Sequence, residues 1–413
     1  MNYNITEQAL AFDRVLPWEG QVPVCEICPD GRAFLRLAAP EAQKVSVVIM
    51  DEEYPCTRGE DGVWEMELPF RTGHHYVQFK LDGTEVLTPL LPISYGYSRP
   101  YNYVELPAPA YAGEKCAEAS DEDFWHIKNV PHGSVRREYF YSSVTKEWES
   151  CVIYTPADYE KQPEKTFPVL YLQHGHGENE TGWTTAGKLQ FILDNLIAEG
   201  KAVPFAVVMC NGMVQTVTED GRRIVDFMLL EPQLLNDVIP FVESKFRIGG
   251  SKERRAMAGL SMGSLQTSII GFTHPEYFSA LGVFSGFVTD MMQGAELDMV
   301  DRGPGDNAHL RILEDAQTFA CTFPVFFRAI GDEDPYKHFF DADDRMLEEY
   351  GISHIRRIYN GVHDWNVWRQ CIRDFAQMIF REETLLPHSE GITNRSDRPS
   401  VSGYPGIPTI QGI

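Results

Sequence analysis

The sequence has no long apolar segment and few basic residues for its length. No run of about 18 apolar residues occurs, so a membrane-spanning helix is not expected. The first residues, MNYNITEQALAFDRVLPWEG, lack the basic and the unbroken apolar regions of a signal peptide, which makes the cytoplasm the expected location. Lys and Arg number 36 against 60 Asp and Glu, a net charge of −24, which argues against nucleic acid or anionic membranes as partners.

The cysteines lack the regular spacing of a disulfide framework. The eight cysteines are scattered over 413 residues, which is typical of reduced, buried thiols rather than of disulfides. Cys25 and Cys28 form a CxxC, but no second CxxC or nearby histidine pair completes a zinc site. The HGHG at 174–177 likewise lacks a third ligand nearby. No metal or other cofactor is therefore expected.

The N-terminal part of the chain has the pattern of a small all-β domain. Short alternating segments about ten residues apart predict an antiparallel sandwich with strands at 32–40, 44–52, 62–70 and 75–83. Residues 89–115, rich in Pro, Tyr and Gly, are interpreted as a connecting segment. The first domain is therefore placed at 1–120.

After that segment the sequence pattern changes, and predicted strands alternate with predicted helices. Such alternation predicts an α/β fold with a mostly parallel sheet. The predicted strands are 167–175, 204–212, 254–261, 278–286, 323–331 and 354–361, and one of the intervening helices is predicted at 232–246. This domain is placed at 121–385, followed by a polar, Gly- and Pro-rich tail at 386–413.

The sequence GLSMG at 259–263 fits the pattern GxSxG. A predicted strand precedes it and a predicted helix follows it, which is the setting of a nucleophile elbow that exposes a serine hydroxyl. Gly259 and Gly263 suit such a turn, because a side chain at either position would crowd it. Ser261 is therefore the candidate nucleophile, and it needs a neighbouring base to remove its proton.

A base and an acid are expected later in the chain, in loops that follow strand ends. His363, in GVHDW after the sixth strand, is the leading candidate for the base, ahead of three histidines that lie in no such loop, namely His309, His338 and His354. After the fifth strand, the acids that compete to orient the base are Asp332, Glu333 and Asp334, and position alone does not separate them. The oxyanion donors are expected to be the backbone N–H groups of Met262 and His176.

From about residue 125 to 382, the chain resembles the feruloyl esterase and enterochelin esterase branch of the α/β-hydrolases. The resemblance is carried by LYLQHGHGENETGW, GLSMGS, AIGDEDPY and, above all, GVHDWNVWRQ. It implies an α/β-hydrolase that acts as a serine esterase, and it selects Asp334 as the acid, with Asp332 second. The predicted sandwich resembles the immunoglobulin-like domain, akin to starch-binding modules, that is often fused in front of such esterases.

The predicted activity is the hydrolysis of a feruloyl- or acetyl-type ester of a carbohydrate or small molecule. The residues considered as substrate contacts are Trp183, Trp365, Phe287 and Gln266. Two alternatives stay open, a non-catalytic carbohydrate-binding protein and an acyltransferase that uses a sugar acceptor. The N-terminal domain is expected to act as a lid or dimer contact rather than to bind glycan, because its predicted strands show no exposed aromatic platform. The acyl group, the alcohol and a homo-oligomeric state are left undetermined.

Overall fold

Four β-sheets organise the residues that the computed structural model describes, which are 24–28, 30–50, 52–70, 72–89, 91–106, 124–289 and 307–381. Two sheets belong to the N-terminal unit. A third, of eight strands, forms the centre of the second unit, and the fourth is a two-stranded hairpin. The expected domain boundaries at 120 and 385 and the tail at 386–413 lie outside the described residues.

The N-terminal unit is an antiparallel sandwich, as the alternating pattern predicted. Its strands are β1 (Cys25–Ile27), β2 (Ala33–Ala38), β3 (Val45–Ile49), β4 (Glu52–Pro55), β5 (Thr57–Arg58), β6 (Val63–Glu67), β7 (Gly73–Leu81), β8 (Thr84–Val86), β9 (Ile93–Gly96) and β10 (Arg99–Leu106). One sheet has the order β1-β2-β6-β5 and the other β4-β3-β7-β10-β9, with β8 paired to β7. Their facing side chains, such as Leu35, Val47 and Phe79, form one buried core.

Two of these strands lie in the stretch interpreted as a connecting segment. Residues 93–96 and 99–106 form the β9–β10 hairpin, and β10 pairs with β7 over its last five residues. The side chains from 102 to 106 are all buried, so the strand lacks the alternation by which a half-exposed strand is recognised. Burial on both faces reflects the position of β10 between the sandwich core and the second unit, since Leu106 packs in the former and Glu105 pairs with Arg369 of the latter.

The second unit has the α/β-hydrolase arrangement of a mostly parallel sheet. Its strands are β11 (Ser134–Tyr141), β12 (Trp148–Thr155), β13 (Val169–Gln173), β14 (Ala206–Cys210), β15 (Gln215–Val217), β16 (Arg223–Val225), β17 (Arg255–Leu260), β18 (Ala280–Phe284), β19 (Val325–Gly331) and β20 (Ile355–Tyr359). The sheet order is β11-β12-β14-β13-β17-β18-β19-β20, while β15 and β16 form the separate hairpin. The first two strands run antiparallel to their neighbours, and the pairs from β14 to β20 are parallel.

Helices cover both faces of this sheet. They are α1 (Gly182–Thr185), α2 (Leu189–Ala198), α3 (Leu230–Gln233), α4 (Ile239–Lys245), α5 (Met262–Thr273), α6 (Ala316–Thr322), α7 (Lys337–Glu349) and α8 (Trp365–Ala376). Side chains of α2 and α8 pack on one face, and those of α4 to α7 pack on the other. The predicted helix at 232–246 is interrupted by a π-helical turn, Leu234–Val238, between α3 and α4. No helix within the described ranges is long and apolar enough to span a membrane.

Helix α8 fastens the sandwich to the sheet. The Asn366 side chain accepts a hydrogen bond from the backbone N–H of His74 on β7 (2.9 Å). One turn later, the guanidinium of Arg369 donates to both carboxylate oxygens of Glu105 on β10 (2.8 Å each) and to the carbonyl of Ala186. Both members of this ion pair are buried. The sequence NVWR after the candidate base therefore holds the two units together.

Candidate active site

Ser261 occupies a strained turn between β17 and α5. Its φ of +50° lies in the left-handed region, which a non-glycine residue rarely adopts. The turn is crowded on both sides. A Cβ on Gly259 would lie 2.2 Å from the carbonyl oxygen of Gly263, and a Cβ on Gly263 would lie 2.5 Å from that of His174. Both glycines of GLSMG are therefore required by close backbone approach.

The three residues expected to form a catalytic triad are hydrogen-bonded in series. His363 Nε2 lies 3.0 Å from Ser261 Oγ, and His363 Nδ1 lies 2.8 Å from Asp334 Oδ2. The Asp334 side chain is fully buried, and its other oxygen accepts the backbone N–H of Tyr336 (2.9 Å). The His363 ring lies edge-on to Tyr336 and Trp368, with centroids 4.9 and 5.2 Å away. Each hydrogen bond that fixes the imidazole is therefore in place.

The loop after β19 gives its three acids different surroundings. Asp334 alone of the three is buried and contacts His363. Asp332 is exposed, and its carboxylate accepts the backbone N–H of Gly361 (2.9 Å), so it ties this loop to the loop that carries His363. Glu333 is exposed. The acid named second, Asp332, therefore acts on the loop backbone and does not touch the imidazole.

The other histidines considered from the sequence lie in different surroundings. His354 contacts Asp344, His338 contacts the carbonyl of Pro335, and His309 contacts the carbonyl of Val288. His174 of HGHG is buried, and its Nε2 accepts the backbone N–H of Gly212 while Nδ1 contacts the Gly175 carbonyl. Both ring nitrogens of His174 are thus used by the fold. No group of three or more potential metal ligands occurs in the described part of the chain.

The loop after β13 lies against Ser261, where an oxyanion site is expected. A Cβ on Gly175 would be 3.4 Å from the Ser261 Cβ, and the next residue, His176, lines the same cavity as Ser261. On the other side, Met262 is the first residue of α5, so its N–H has no acceptor within the helix. The two backbone groups expected to bind an oxyanion therefore belong to segments that flank the serine.

A cavity of about 330 Å³ opens at the triad. Its wall on the α/β-hydrolase side includes Leu260, Ser261, His363, Trp365 and Trp368. Residues of the sandwich form the rest of the wall, and these include Met50, His75, Tyr76, Glu85, Tyr97, Arg99 and Tyr101. The cavity is thus lined by residues of both units.

Only one of the four candidate substrate contacts lines this cavity. Trp365 does so, and its ring packs edge-on against that of Trp183, 5.2 Å away. Trp183 itself is a core residue whose indole N–H donates to the Gln173 carbonyl. Gln266 is buried and donates to two backbone carbonyls, and Phe287 packs against Leu265 and Ile269. Residue type alone could not show which of these side chains line the cavity and which pack behind its wall.

Sequence reasoning missed Glu178, a buried acid in the wall of the cavity. Its carboxylate accepts the backbone N–H of Gly175 (3.3 Å), so it braces the expected oxyanion loop. Burial raises the pKa of Glu178 from 4.5 to about 8, although the Gly175 N–H and the Trp365 indole favour the ionised form. The loop HGHGENETGW carries two acids, Glu178 and Glu180, and no Lys or Arg, but the sequence pattern does not show which acid is buried.

Glu178 is expected to make folding stability depend on pH. The folded protein holds the proton up to about pH 8, whereas the unfolded chain releases it near pH 4.5. Stability from this group is therefore fully present below about pH 4.5 and is lost as the pH rises through about 8. We predict that Glu178→Gln, which keeps an acceptor for Gly175, reduces the fall in melting temperature between pH 5 and pH 8.5. Equal falls in the wild type and the variant, measured by calorimetry, would contradict this prediction.

Comparisons with known proteins identify the family to which this chain belongs. Residues 142–378, more than half of the chain, match the Esterase family model. The endo-1,4-beta-xylanase/feruloyl esterase of Xylanibacter ruminicola is 34% identical over 362 residues, a match that covers 85% of this chain and 45% of that protein. The chain thus spans less than half the length of this relative.

Two solved structures share the fold. The enterobactin esterase of Shigella flexneri is 15% identical, with a TM-score of 0.58 over 84% of this chain and 92% of that one. The ferulic acid esterase of Anaeromyces mucronatus is 20% identical, with a TM-score of 0.53 over 63% of this chain and 96% of that one. At these identities, the likeness concerns the fold alone. On the strength of the family match, this chain belongs to the Esterase family.

Proposed function

We propose that this protein is a serine carboxylesterase that forms an acyl-enzyme on Ser261. The observation that carries the proposal is the series of hydrogen bonds from Ser261 through His363 to the buried Asp334, which faces an open cavity. A protein that only binds ligands has no need of a strained serine next to an oriented imidazole. Hydrolysis is therefore favoured over binding alone.

Each residue has a distinct part in the proposed reaction. His363 Nε2 takes the proton of Ser261 Oγ as that oxygen attacks the ester carbonyl carbon, and Asp334 stabilises the resulting imidazolium. The backbone N–H groups of Met262 and His176 bind the oxyanion. The bond to the alcohol oxygen then breaks, and His363 gives that oxygen its proton. Water, deprotonated by His363, then attacks the acyl carbon; the bond to Ser261 Oγ breaks, His363 returns the proton to Oγ, and the carboxylic acid leaves.

The acyl group is proposed to be aromatic, of the hydroxycinnamoyl class. Trp365 and Trp368 give the catalytic end of the cavity flat apolar surfaces that suit such a group. The Xylanibacter relative, which carries feruloyl esterase in its name, supports the same class. The experiment that tests the proposal compares kcat/KM for methyl ferulate and p-nitrophenyl acetate. Preference for methyl ferulate supports an aromatic acyl pocket, whereas turnover of neither ester contradicts an esterase function.

The two aspartates of the loop after β19 are expected to respond differently to substitution. We predict that Asp334→Asn lowers kcat by about 10³- to 10⁴-fold, because an amide cannot stabilise the imidazolium and favours the wrong tautomer of His363. Asp332→Asn is the matched control. It keeps an oxygen to accept the Gly361 N–H, so activity should change by no more than a few fold. Equal losses in the two variants, measured with methyl ferulate, would contradict the assignment of Asp334.

A further inference from the structure

The β9–β10 hairpin carries a tyrosine in an unusual turn. Tyr97 and Ser98 both have left-handed φ angles, +49° and +63°, and they connect strands whose flanking residues, Gly96 and Arg99, pair directly. Two-residue turns of this type favour Asn and Gly, because a large side chain at positive φ is strained. Tyr97 nevertheless occupies the first position with 61% of its surface exposed. A strained, exposed aromatic residue at a turn points to a role outside folding.

The hairpin tip is attached to the expected oxyanion loop. The backbone N–H of Ser98 donates to the carbonyl of Gly177 (2.7 Å). A Cβ on Gly177 would lie 3.0 Å from the Tyr97 Cα, so the two backbones are in close contact. Because Gly177 follows His176 directly, Tyr97 has a fixed position relative to the reacting centre.

The hairpin and its neighbours supply one wall of the active-site cavity. The rings of Tyr76, Tyr97 and Tyr101 lie 5.5 to 5.9 Å apart. Beside them, Arg99 Nε donates to the Tyr101 hydroxyl (2.7 Å) and the Arg99 guanidinium pairs with Glu85. All five residues line the cavity. This wall therefore combines ring faces with hydrogen-bonding groups whose charges balance.

The order of steps in ester hydrolysis indicates which end of the cavity holds the acyl part of the ester and which end holds the alcohol part. The acyl group stays on Ser261 until water arrives, whereas the alcohol leaves first and needs a path to solvent. Trp365 and Trp368 are buried, but Tyr97, Arg99 and Glu85 are exposed. The alcohol part of the ester therefore belongs on the side of the sandwich.

We propose that this wall is a saccharide subsite for the alcohol part of the substrate. It rests on the proposed function, because it assumes that Ser261 cleaves an ester in this cavity. Tyr97 stacks on the apolar face of the sugar ring, and Arg99 and Glu85 hydrogen-bond to its hydroxyl groups. A neutral ligand is favoured over an anionic one, because Arg99 is already paired with Glu85. The N-terminal sandwich thus selects the sugar that carries the acyl group, a role that its predicted strands did not reveal.

The test compares two esters with the same acyl group. Methyl ferulate has no sugar, whereas feruloyl-arabinose presents one to the proposed subsite. The variant is Tyr97→Asn, since Asn tolerates the left-handed turn. The control is Tyr139→Asn, which removes an equally exposed tyrosine (61%) from β11, outside the cavity wall.

We expect Tyr97→Asn to lower kcat/KM for feruloyl-arabinose by about 5- to 10-fold while methyl ferulate changes by less than about twofold. The Tyr139 variant should match the wild type on both esters. If the wild type cleaves both esters and Tyr97→Asn changes them equally or not at all, the subsite is wrong and the esterase function stands. If the wild type cleaves neither, the proposed function fails and the subsite fails with it.

Discussion

Replacing Ser261 or His363 with alanine is expected to lower kcat for ester hydrolysis by about 10⁴- to 10⁶-fold. Ser261→Ala removes the atom that bonds to the acyl carbon. His363→Ala leaves the hydroxyl without the base that lies 3.0 Å from it. Because the two residues act as one unit, the double variant should be little worse than either single variant. The measurement is steady-state hydrolysis of methyl ferulate.

A matched substitution separates loss of chemistry from loss of folding. His354→Ala removes a half-buried histidine that contacts Asp344 away from the cavity, so its kcat should stay close to that of the wild type. Near-wild-type rates in Ser261→Ala or His363→Ala would contradict the assignment. So would a double variant in which the two losses multiply.

The second large effect is expected from breaking the buried ion pair between β10 and α8. Although burial opposes ionisation, the Arg369 guanidinium holds the pKa of Glu105 well below its usual range. Arg369→Met removes the guanidinium from this buried carboxylate, which keeps His74 at 3.7 Å and Lys188 at 4.0 Å. Loss of one partner of a buried ion pair costs about 3 to 5 kcal/mol. We predict a decrease of that size in the free energy of unfolding, measured with denaturant.

The exposed ion pair between Arg223 and Glu147 is the control. Its two hydrogen bonds, 2.9 and 2.8 Å, match those of the buried pair in length, but the two side chains are 49% and 42% exposed. Arg223→Met should therefore change stability little. A double replacement, Glu105→Leu with Arg369→Met, should recover much of the loss. Equal effects of Arg369→Met and Arg223→Met would contradict the role assigned to the buried pair.

The parts of the site that the sequence made predictable are those fixed by local backbone chemistry. GLSMG required two glycines because the chain turns back on itself at Ser261, and that requirement is visible in five residues. The position of His363 was predictable because this histidine lies in a loop directly after a predicted strand. Choosing Asp334 over Asp332 needed the family resemblance, because the two acids differ in burial rather than in sequence pattern.

The sequence pattern did not predict the contacts between the two units. Strand β10 was hidden because both of its faces are buried, and the β9–β10 hairpin was hidden by its proline and tyrosine content. The same hairpin brings Tyr97 to the cavity from a position 164 residues before Ser261, as 261 − 97 = 164. Trp183 and Gln266 were named as substrate contacts from residue type, but their hydrogen bonds to backbone carbonyls place them in the supporting layer.

Covalent labelling with a fluorophosphonate probe tests the central proposal most directly. The probe bonds to an activated serine hydroxyl, and peptide mass spectrometry then identifies the modified residue. We predict one label per chain, on Ser261, with labelling abolished in Ser261→Ala and greatly slowed in His363→Ala. A label on a different residue, or equal labelling of Ser261 in the wild type and in His363→Ala, would contradict the activation of Ser261 by His363.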